Sequence, residues 1–258
     1  MKPEKRTATR TAAVAFLLVL ALSLPVSGPA AEQGAKELIV GCDTGFRPFV
    51  FIGPGGSFTG FEVELWRLIA QRQGLPYRLI RMDFASLIPA LAENKIDVAL
   101  GGISINAERE QIIDFSYPHF HSSLRLLVRM SDEAIADIGD LVDKVVATKE
   151  GTTSATFVSN IQTRSVLLFP SIDAAYLALH KRKVDAVLFD SPAIGDYLQT
   201  SGRYIAKTVG RVHQRQSYGI AFQQGSALRE TVNVEILKLV EEGRMDILFR
   251  EWFGYVPQ

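Results

Sequence analysis

Residues 101–109, Gly-Gly-Ile-Ser-Ile-Asn-Ala-Glu-Arg, gather two glycines, a hydroxyl and a guanidinium directly behind an apolar segment, Asp97-Val98-Ala99-Leu100. Gly101 and Gly102 let a ligand approach the backbone closely. Their N–H groups, the Ser104 Oγ and the Arg109 fork are complementary donors for a free carboxylate. A charge-assisted bond of this kind is worth roughly 1.5 to 3 kcal/mol net. The plainer alternative is that Arg109 opens a helix and pairs with neighbouring Glu110 on the surface.

A second group, Lys149-Glu150-Gly151-Thr152-Thr153-Ser154, repeats the pattern: an apolar segment ends, a glycine turns the chain, and hydroxyls open a helix. Thr152 and Thr153 serve either as ordinary caps or as part of an anion site at the helix start, and the two roles are compatible. Asp190, just before Ser191-Pro192, is either a cap or a seat for an ammonium group. Asp43 in Asp43-Thr44-Gly45-Phe46-Arg47-Pro48-Phe49 is an Asx-type turn residue or a reader of a polar side chain. Phe46 and Phe84 are core residues or pocket walls. The four histidines, His119, His121, His180 and His213, lack cysteine partners or a His-Glu helix motif. No Gly-x-Ser-x-Gly elbow, phosphate-binding loop or dinucleotide fingerprint occurs, so no metal, nucleophile or cofactor signature competes with a binding role.

The elements that position these groups alternate. Strands are expected at Glu37–Gly41, Tyr77–Met82, Val98–Leu100, Lys144–Thr148, Val166–Phe169 and Ala186–Phe189. Helices are expected at Phe61–Gln73 (stopped by Gly74), Ser86–Glu93, from Ser154, and at Ile172–Lys181. A hairpin over Phe51–Phe58 turns on Gly53-Pro54-Gly55-Gly56. Such alternation predicts an α/β protein with largely parallel sheets.

One internal echo bears on the architecture. Ala90-Leu91-Ala92-Glu93-Asn94-Lys95-Ile96-Asp97-Val98-Ala99-Leu100 returns as Ala178-Leu179-His180-Lys181-Arg182-Lys183-Val184-Asp185-Ala186-Val187-Leu188. Each copy reads as a helix end, a charged turn and a buried strand. Carboxyl ends of strands in open α/β sheets face the ligand crevice, so two lobes would face each other across one cleft. Leu124–Val128 and Ser217–Phe222 read as extended segments crossing between them. The expected division is lobe 1 over 31–119 and 216–258, lobe 2 over 124–213, and a hinge region at 120–123 and 214–215.

The first 30 residues read as a secretory signal peptide: Lys2, Lys5, Arg6 and Arg10, then an apolar run Thr11–Leu24, then Pro25 and small residues. The run is shorter than the ~20 residues that span a bilayer. Cleavage is expected after Ala30 or Ala31. The leader carries four cations against Glu4, so the remainder of this formally neutral chain is at −3, with no basic stripe for nucleic acid. The single cysteine, Cys42, lies in an expected strand, forms no internal disulfide and is not placed as a lipid anchor; it reads as a small buried apolar residue.

Gly41-Cys42-Asp43-Thr44-Gly45-Phe46-x-Pro48-Phe49, Gly60-Phe61-Glu62-Val63-Glu64-Leu65-Trp66, Met82-Asp83-Phe84-x-x-Leu87-Ile88-Pro89-Ala90-Leu91 and Gly102-Ile103-Ser104-Ile105-x-x-Glu108-Arg109 together resemble the periplasmic polar-amino-acid-binding proteins of ABC importers (bacterial solute-binding protein family 3). Lys144–Ala147, Gly151-Thr152, Asp185–Leu188 and Trp252–Gly254 extend the likeness through nearly all of the chain beyond the leader, and the glutamine-binding branch is the one it most resembles. The resemblance implies a two-lobed clamshell of the type II periplasmic-binding-protein fold, each lobe a mostly parallel sheet flanked by helices. It implies a monomeric, non-enzymatic receptor without cofactor that captures a free L-amino acid and delivers it to an inner-membrane permease.

By that resemblance Arg109, with Ser104 and the N–H groups near Thr152 and Thr153, holds the ligand α-carboxylate. Asp190, Ser104 and the Gly102 carbonyl take the α-ammonium, Phe46 and Phe84 sandwich the side chain, and Asp43 with Lys149 reads its tip. An amide suits that pair, carbonyl to Lys149 and NH₂ to Asp43. Two positions depart from the glutamine-binding pattern: Phe189 stands where a histidine is usual, and Thr153 where a glycine is. Two rival roles remain on the same scaffold. One is a cyclohexadienyl-dehydratase-like enzyme, for which Glu150 is the nearest candidate acid; the other is a ligand sensor.

Overall fold

The computed structural model describes Met1 and residues 36–256; the expected leader and its cleavage point lie outside them, Met1 apart. The first half contains β1 (Leu38–Cys42), β2 (Gly45–Phe46), β3 (Val50–Ile52), β4 (Phe58–Thr59), α1 (Phe61–Gln73), β5 (Tyr77–Arg81), α2 (Phe84–Ala92), β6 (Val98–Leu100) and β7 (Ile113–Phe115). Then come β8 (Phe120–Arg129), β9 (Val145–Lys149), α3 (Thr153–Ser159), β10 (Ser165–Phe169), α4 (Ile172–His180), β11 (Ala186–Asp190) and α5 (Ser191–Gln199). The chain closes with β12 (Ala206–Tyr218), β13 (Ala221–Gln223), α6 (Leu228–Glu241) and α7 (Arg244–Phe253).

Two five-stranded sheets result, in the orders β5-β1-β6-β13-β7 and β10-β9-β11-β8-β12. Within each, the first three strands run parallel and the fourth, β13 or β8, runs against its neighbours. The sheets are thus mostly parallel, as expected, and each antiparallel strand adjoins a crossing between lobes. The links between successive parallel strands, β1 to β5, β5 to β6, β9 to β10 and β10 to β11, run through the helices α1, α2, α3 and α4.

Helix α1 shows how the sequence specifies an element. Phe61, Leu65, Trp66, Ile69 and Ala70 form its buried face, Glu62 and Glu64 sit in its first turn, and Gly74 ends it at φ 59° with its N–H donating to Ala70 O. The left-handed cap is where glycine carries no Cβ penalty. The hairpin expected at Phe51–Phe58 forms as β3 and β4 around a 3-10 turn at Pro54–Gly56. Cys42 is fully buried, and burial pushes its thiol pKa up, beyond the reach of ordinary thiolate chemistry.

The crossings need one correction. Leu124–Val128 does not run between lobes: it lies inside the second sheet, paired with β11 and β12. The connection is made just upstream, where His119 N–H donates to Tyr218 O at 3.0 Å and Phe120 pairs with Tyr218. The bonds are satisfied there by the ribbon of β8 and β12, so the apolar run is a buried strand. The second link between the sheets runs from β12 through Gly219 and Ile220 into β13. Aromatic rings pin the ribbon's base: Phe120 meets Phe49 at 4.8 Å, Phe253 at 4.8 Å and Tyr218 at 5.8 Å. Helices α6 and α7 pack on α1, so the C-terminal segment completes the first lobe.

Candidate functional site

Eleven side chains and glycines from both lobes line one small cavity: Asp43, Phe46, Phe84, Gly101, Gly102, Ser104, Lys149, Thr152, Thr153, Phe189 and Asp190. Their common location follows from the topology. Asp43 follows β1, Gly101 follows β6, Lys149 ends β9 and Asp190 ends β11, so strand carboxyl ends of the two sheets point at one another. About 10 Å³ is left free between the groups, the room of about one water molecule.

Charge is concentrated at and beside this cavity: Asp43, Lys149 and Asp190 line it, whereas Arg109 is not among its lining residues. Arg109, Asp43, Lys149 and Asp190 are all under 8% exposed. Arg109 belongs to a single 3-10 turn, Arg109–Gln111, and not to an α-helix. Its Nη1 donates to Ser104 O at 2.8 Å and its Nη2 to Gly151 O at 3.0 Å, reaching across the cleft. Its face lies over the Phe84 ring at 5.6 Å. The surface pair with Glu110 does not form. Burial lowers the Arg109 pKa, opposed by nearby Asp190, but a guanidinium stays charged throughout.

Lys149 Nζ donates to Asp43 Oδ2, a buried ion pair spanning the lobes. Asp43 also accepts from Gly45 N–H through Oδ1 at 3.3 Å, so it is both turn residue and charge partner. Lys149 Nζ lies 5.5 Å from the Phe84 centroid. Phe46 is met edge-on by Phe189 at 5.9 Å, which makes Phe189 a cavity wall where a histidine would have offered a hydrogen bond.

Asp190 occupies the N-cap position of α5 but its carboxylate does not cap the helix. Tyr218 OH donates to its Oδ2 at 2.5 Å and Gln216 Nε2 to its Oδ1 at 2.7 Å. Burial raises its pKa from 3.8 to about 6, with Tyr218, Gln216, Arg109 and Lys149 pulling the other way. Thr152 does cap: its Oγ1 accepts from Ala155 N–H at 3.3 Å and donates to Lys149 O at 2.6 Å. Thr153 Oγ1 donates to Gln216 Oε1 at 2.7 Å.

Three features escape a reading of sequence. Gln216 and Tyr218 come from β12, far along the chain, and both hold Asp190; neither lies in a motif that suggests it. The third is a correction. The Gly101 and Gly102 N–H groups, expected to receive a ligand carboxylate, donate instead to Glu62 Oε2 at 2.7 and 3.0 Å. The carboxylate they bind is the protein's own, because Glu62 is brought under the loop by the first turn of α1. Glu150, the candidate acid for an enzymatic role, is exposed and outside the cavity lining.

Residues 38–255 match the bacterial extracellular solute-binding proteins, family 3. The L-cystine-binding protein TcyJ of Escherichia coli is 30% identical over 226 residues, 86% of this chain and 84% of that protein. The GluR0 ligand-binding core from Nostoc punctiforme, solved with L-glutamate, is 39% identical, covers 84% of this chain and 99% of its own, and superposes with a TM-score of 0.77. Arginine-bound truncated ArgBP from T. maritima is 33% identical at a TM-score of 0.74, over 79% of this chain and 96% of its own. These relatives are binding proteins rather than enzymes, and they share the type II periplasmic-binding-protein fold. The chain belongs to the bacterial extracellular solute-binding proteins, family 3.

Proposed function

We propose that this protein captures a free polar L-amino acid in the periplasm by hinge closure and delivers it, as a monomer, to an ABC-type permease in the inner membrane. One observation carries the reading: a buried carboxylate and a buried ion pair line one cavity between two lobes, and the buried Arg109 guanidinium lies beside it, bonded to Ser104 O of the lining. Arg109 takes the α-carboxylate, beside Ser104 and the start of α3 at Thr152 and Thr153. Asp190 takes the α-ammonium, with Ser104 and the Gly102 carbonyl. Phe46, Phe84 and Phe189 wall the side chain.

The Asp43–Lys149 pair sets the side-chain preference. A cationic tip meets Lys149 unfavourably and an anionic tip meets Asp43, whereas an amide inserts between them with a donor for one and an acceptor for the other. Glutamine is therefore the favoured ligand. The names of the relatives, spread over cystine, glutamate and arginine, leave this choice to the pocket. Lobe motion is expected about the ribbon at 120–123 and 214–215, and ligand contacts to both lobes favour the closed form.

The test is a thermal shift across the common L-amino acids on the protein lacking residues 1–30. A specific ligand at 100 times its Kd adds about 2.7 kcal/mol of stability. L-Glutamine is expected to give the largest shift. A sugar or dicarboxylate raising the melting temperature where no amino acid does would falsify the assignment.

A further inference from the structure

Glu62 is fully buried and is not itself among the residues that line the cavity. Its carboxylate is nevertheless one contact away from the binding groups on one side and from the lobe crossing on the other. Helix capping does not account for it, since Glu62 lies inside α1 and its side chain bonds nothing in its own helix. Instead Oε2 accepts the N–H groups of both Gly101 and Gly102, and Oε1 meets His119 Nε2 at 2.8 Å. We propose that Glu62 is a positioning residue for ligand binding: it fixes the Gly101–Gly102 turn, and through it Asp43 and the ammonium seat, and ties that turn to the crossing segment at His119. The proposal rests on the binding role assigned to the cavity.

The geometry of the peptide unit makes the connection. In a trans peptide the carbonyl points opposite to the N–H of the next residue. Aiming the Gly101 and Gly102 N–H groups at Glu62 therefore turns the Leu100 and Gly101 carbonyls away from α1. The Leu100 carbonyl then accepts Asp43 N–H at 3.1 Å, which sets the backbone of the residue paired with Lys149. Gly102 itself sits at φ 63°, and a Cβ there would come within 2.0 Å of the Phe46 ring. The turn is thus held from beneath by a carboxylate and packed from above by an aromatic wall. Left without an acceptor, two buried N–H groups carry a penalty, and the turn would find another conformation.

His119 contributes the other half. With Glu62 ionised as the acceptor for both glycines, the imidazole donates through Nε2–H. Nδ1 has no hydrogen-bond partner among the described residues and is buried, so Nε2 is the ring nitrogen through which His119 bonds the protein. His119 N–H in turn donates to Tyr218 O, at the base of the ribbon and in the residue that holds Asp190. One carboxylate therefore joins the lobe 1 loop to the chain segment that carries the second lobe.

Glu62→Ala and Glu62→Gln separate this role from plain stability. The glutamine carbonyl can replace Oε2 and keep both glycine bonds, and its NH₂ donates to His119 Nε2 once the imidazole proton moves to Nδ1. Titration calorimetry with L-glutamine is expected to show affinity about 30-fold weaker in Glu62→Ala, the equivalent of about 2 kcal/mol, with most of it restored in Glu62→Gln. In parallel, amide exchange of the ligand-free protein is expected to quicken at Gly101, Gly102 and Asp43 in the alanine variant, well beyond the rest of the first sheet. Should Glu62→Ala not fold, the glutamine variant decides alone: the amide protons of Gly101 and Gly102 must shift upfield as a carboxamide replaces a carboxylate. Wild-type exchange in Glu62→Ala, or unmoved Gly101 and Gly102 resonances in Glu62→Gln, overturns the proposal. So does a glutamine variant as weak as the alanine one. Wild-type protein that binds no amino acid sinks the proposed function, while the exchange and shift measurements still decide whether Glu62 holds the turn.

Discussion

The helix–turn–strand over 90–100 and its echo over 178–188 have the same bonds and different ends. In both, a residue with positive φ makes the turn, Asn94 at 56° and Arg182 at 57°. Lys95 N–H donates to Ala90 O, and Lys183 N–H to Ala178 O. Asp97 Oδ2 accepts from Ile39 N–H at 2.8 Å, and Asp185 Oδ2 from Val145 N–H at 2.9 Å, so each acid stitches its turn to the neighbouring parallel strand. Their strands, β6 and β11, hold the same central place in their sheets. Past Leu100 and its counterpart Leu188 the two units diverge: β6 ends at Leu100, whereas β11 runs on through Asp190. Lobe 1 continues into Gly101-Gly102, a backbone surface whose donors are already held by Glu62; lobe 2 continues into Phe189-Asp190, an aromatic wall and a buried charge. One scaffold unit thus supplies shape on one side of the cleft and charge on the other, and the cation that completes lobe 1, Arg109, comes from a separate turn.

The largest effect should come from removing that cation. Arg109→Ala is expected to weaken amino-acid binding by about 100-fold or more, the scale of a lost charge-assisted contact of about 3 kcal/mol, while the circular dichroism spectrum stays that of the wild type. Retained wild-type affinity by calorimetry would return Arg109 to a purely structural role between Ser104 and Gly151.

Next, the two strand ends should break in opposite ways. Gly102→Ala forces a Cβ onto the Phe46 ring at a left-handed φ, so both stability and affinity should fall, stability by about 1 to 3 kcal/mol. Asp190→Asn removes the proposed ammonium partner but also an acid whose ionisation burial opposes. Affinity should drop while the melting temperature at pH 8 holds or rises. Parallel losses in both variants would show that shape and charge are not divided between the lobes.

The same acid gives a pH dependence with a definite sign. The folded protein raises the Asp190 pKa from 3.8 to about 6, so between these values it binds the proton more tightly than the unfolded chain. This group's stability contribution is therefore greatest below 3.8 and is lost as pH rises through about 6. Ligand binding runs the other way, since the ammonium needs the ionised form. Affinity for L-glutamine should be flat above about pH 7 and fall by up to about tenfold per unit as pH drops below about 6. In Asp190→Asn the slope should vanish.

Much of this division between the lobes was legible in the sequence, and the reason is local. Strand-end positions of Asp43, Gly101, Lys149 and Asp190 follow from apolar runs meeting glycine or acid, and α1 ends at Gly74 as its periodicity requires. The echo marks the two equivalent units by spacing alone, without any contact. Leu124–Val128 misled because a buried strand and a crossing segment have the same apolar, extended signature; only the partners β11 and β12 distinguish them. Glu62, Gln216 and Tyr218 escaped for a related reason. Each acts through a residue distant in the chain, and no spacing within a strand or helix encodes such a bond.

The smallest expected effect concerns the residue beside the charge. Phe189 meets Phe46 edge-on and offers no donor, while the glutamine-binding pattern has histidine here. Phe189→His replaces apolar area by a ring nitrogen facing the same space, with Asp190 next to it and Lys149 in the same cavity lining. A neutral imidazole can donate to a ligand amide carbonyl, so selectivity for L-glutamine over L-leucine should improve by about 3- to 10-fold, within the range of one neutral hydrogen bond. Competition binding at pH 8, where the imidazole is neutral, measures this directly. An unchanged ratio with unchanged affinity would mean that the ligand side chain does not reach the wall at 189, and that the Asp43–Lys149 pair alone selects it.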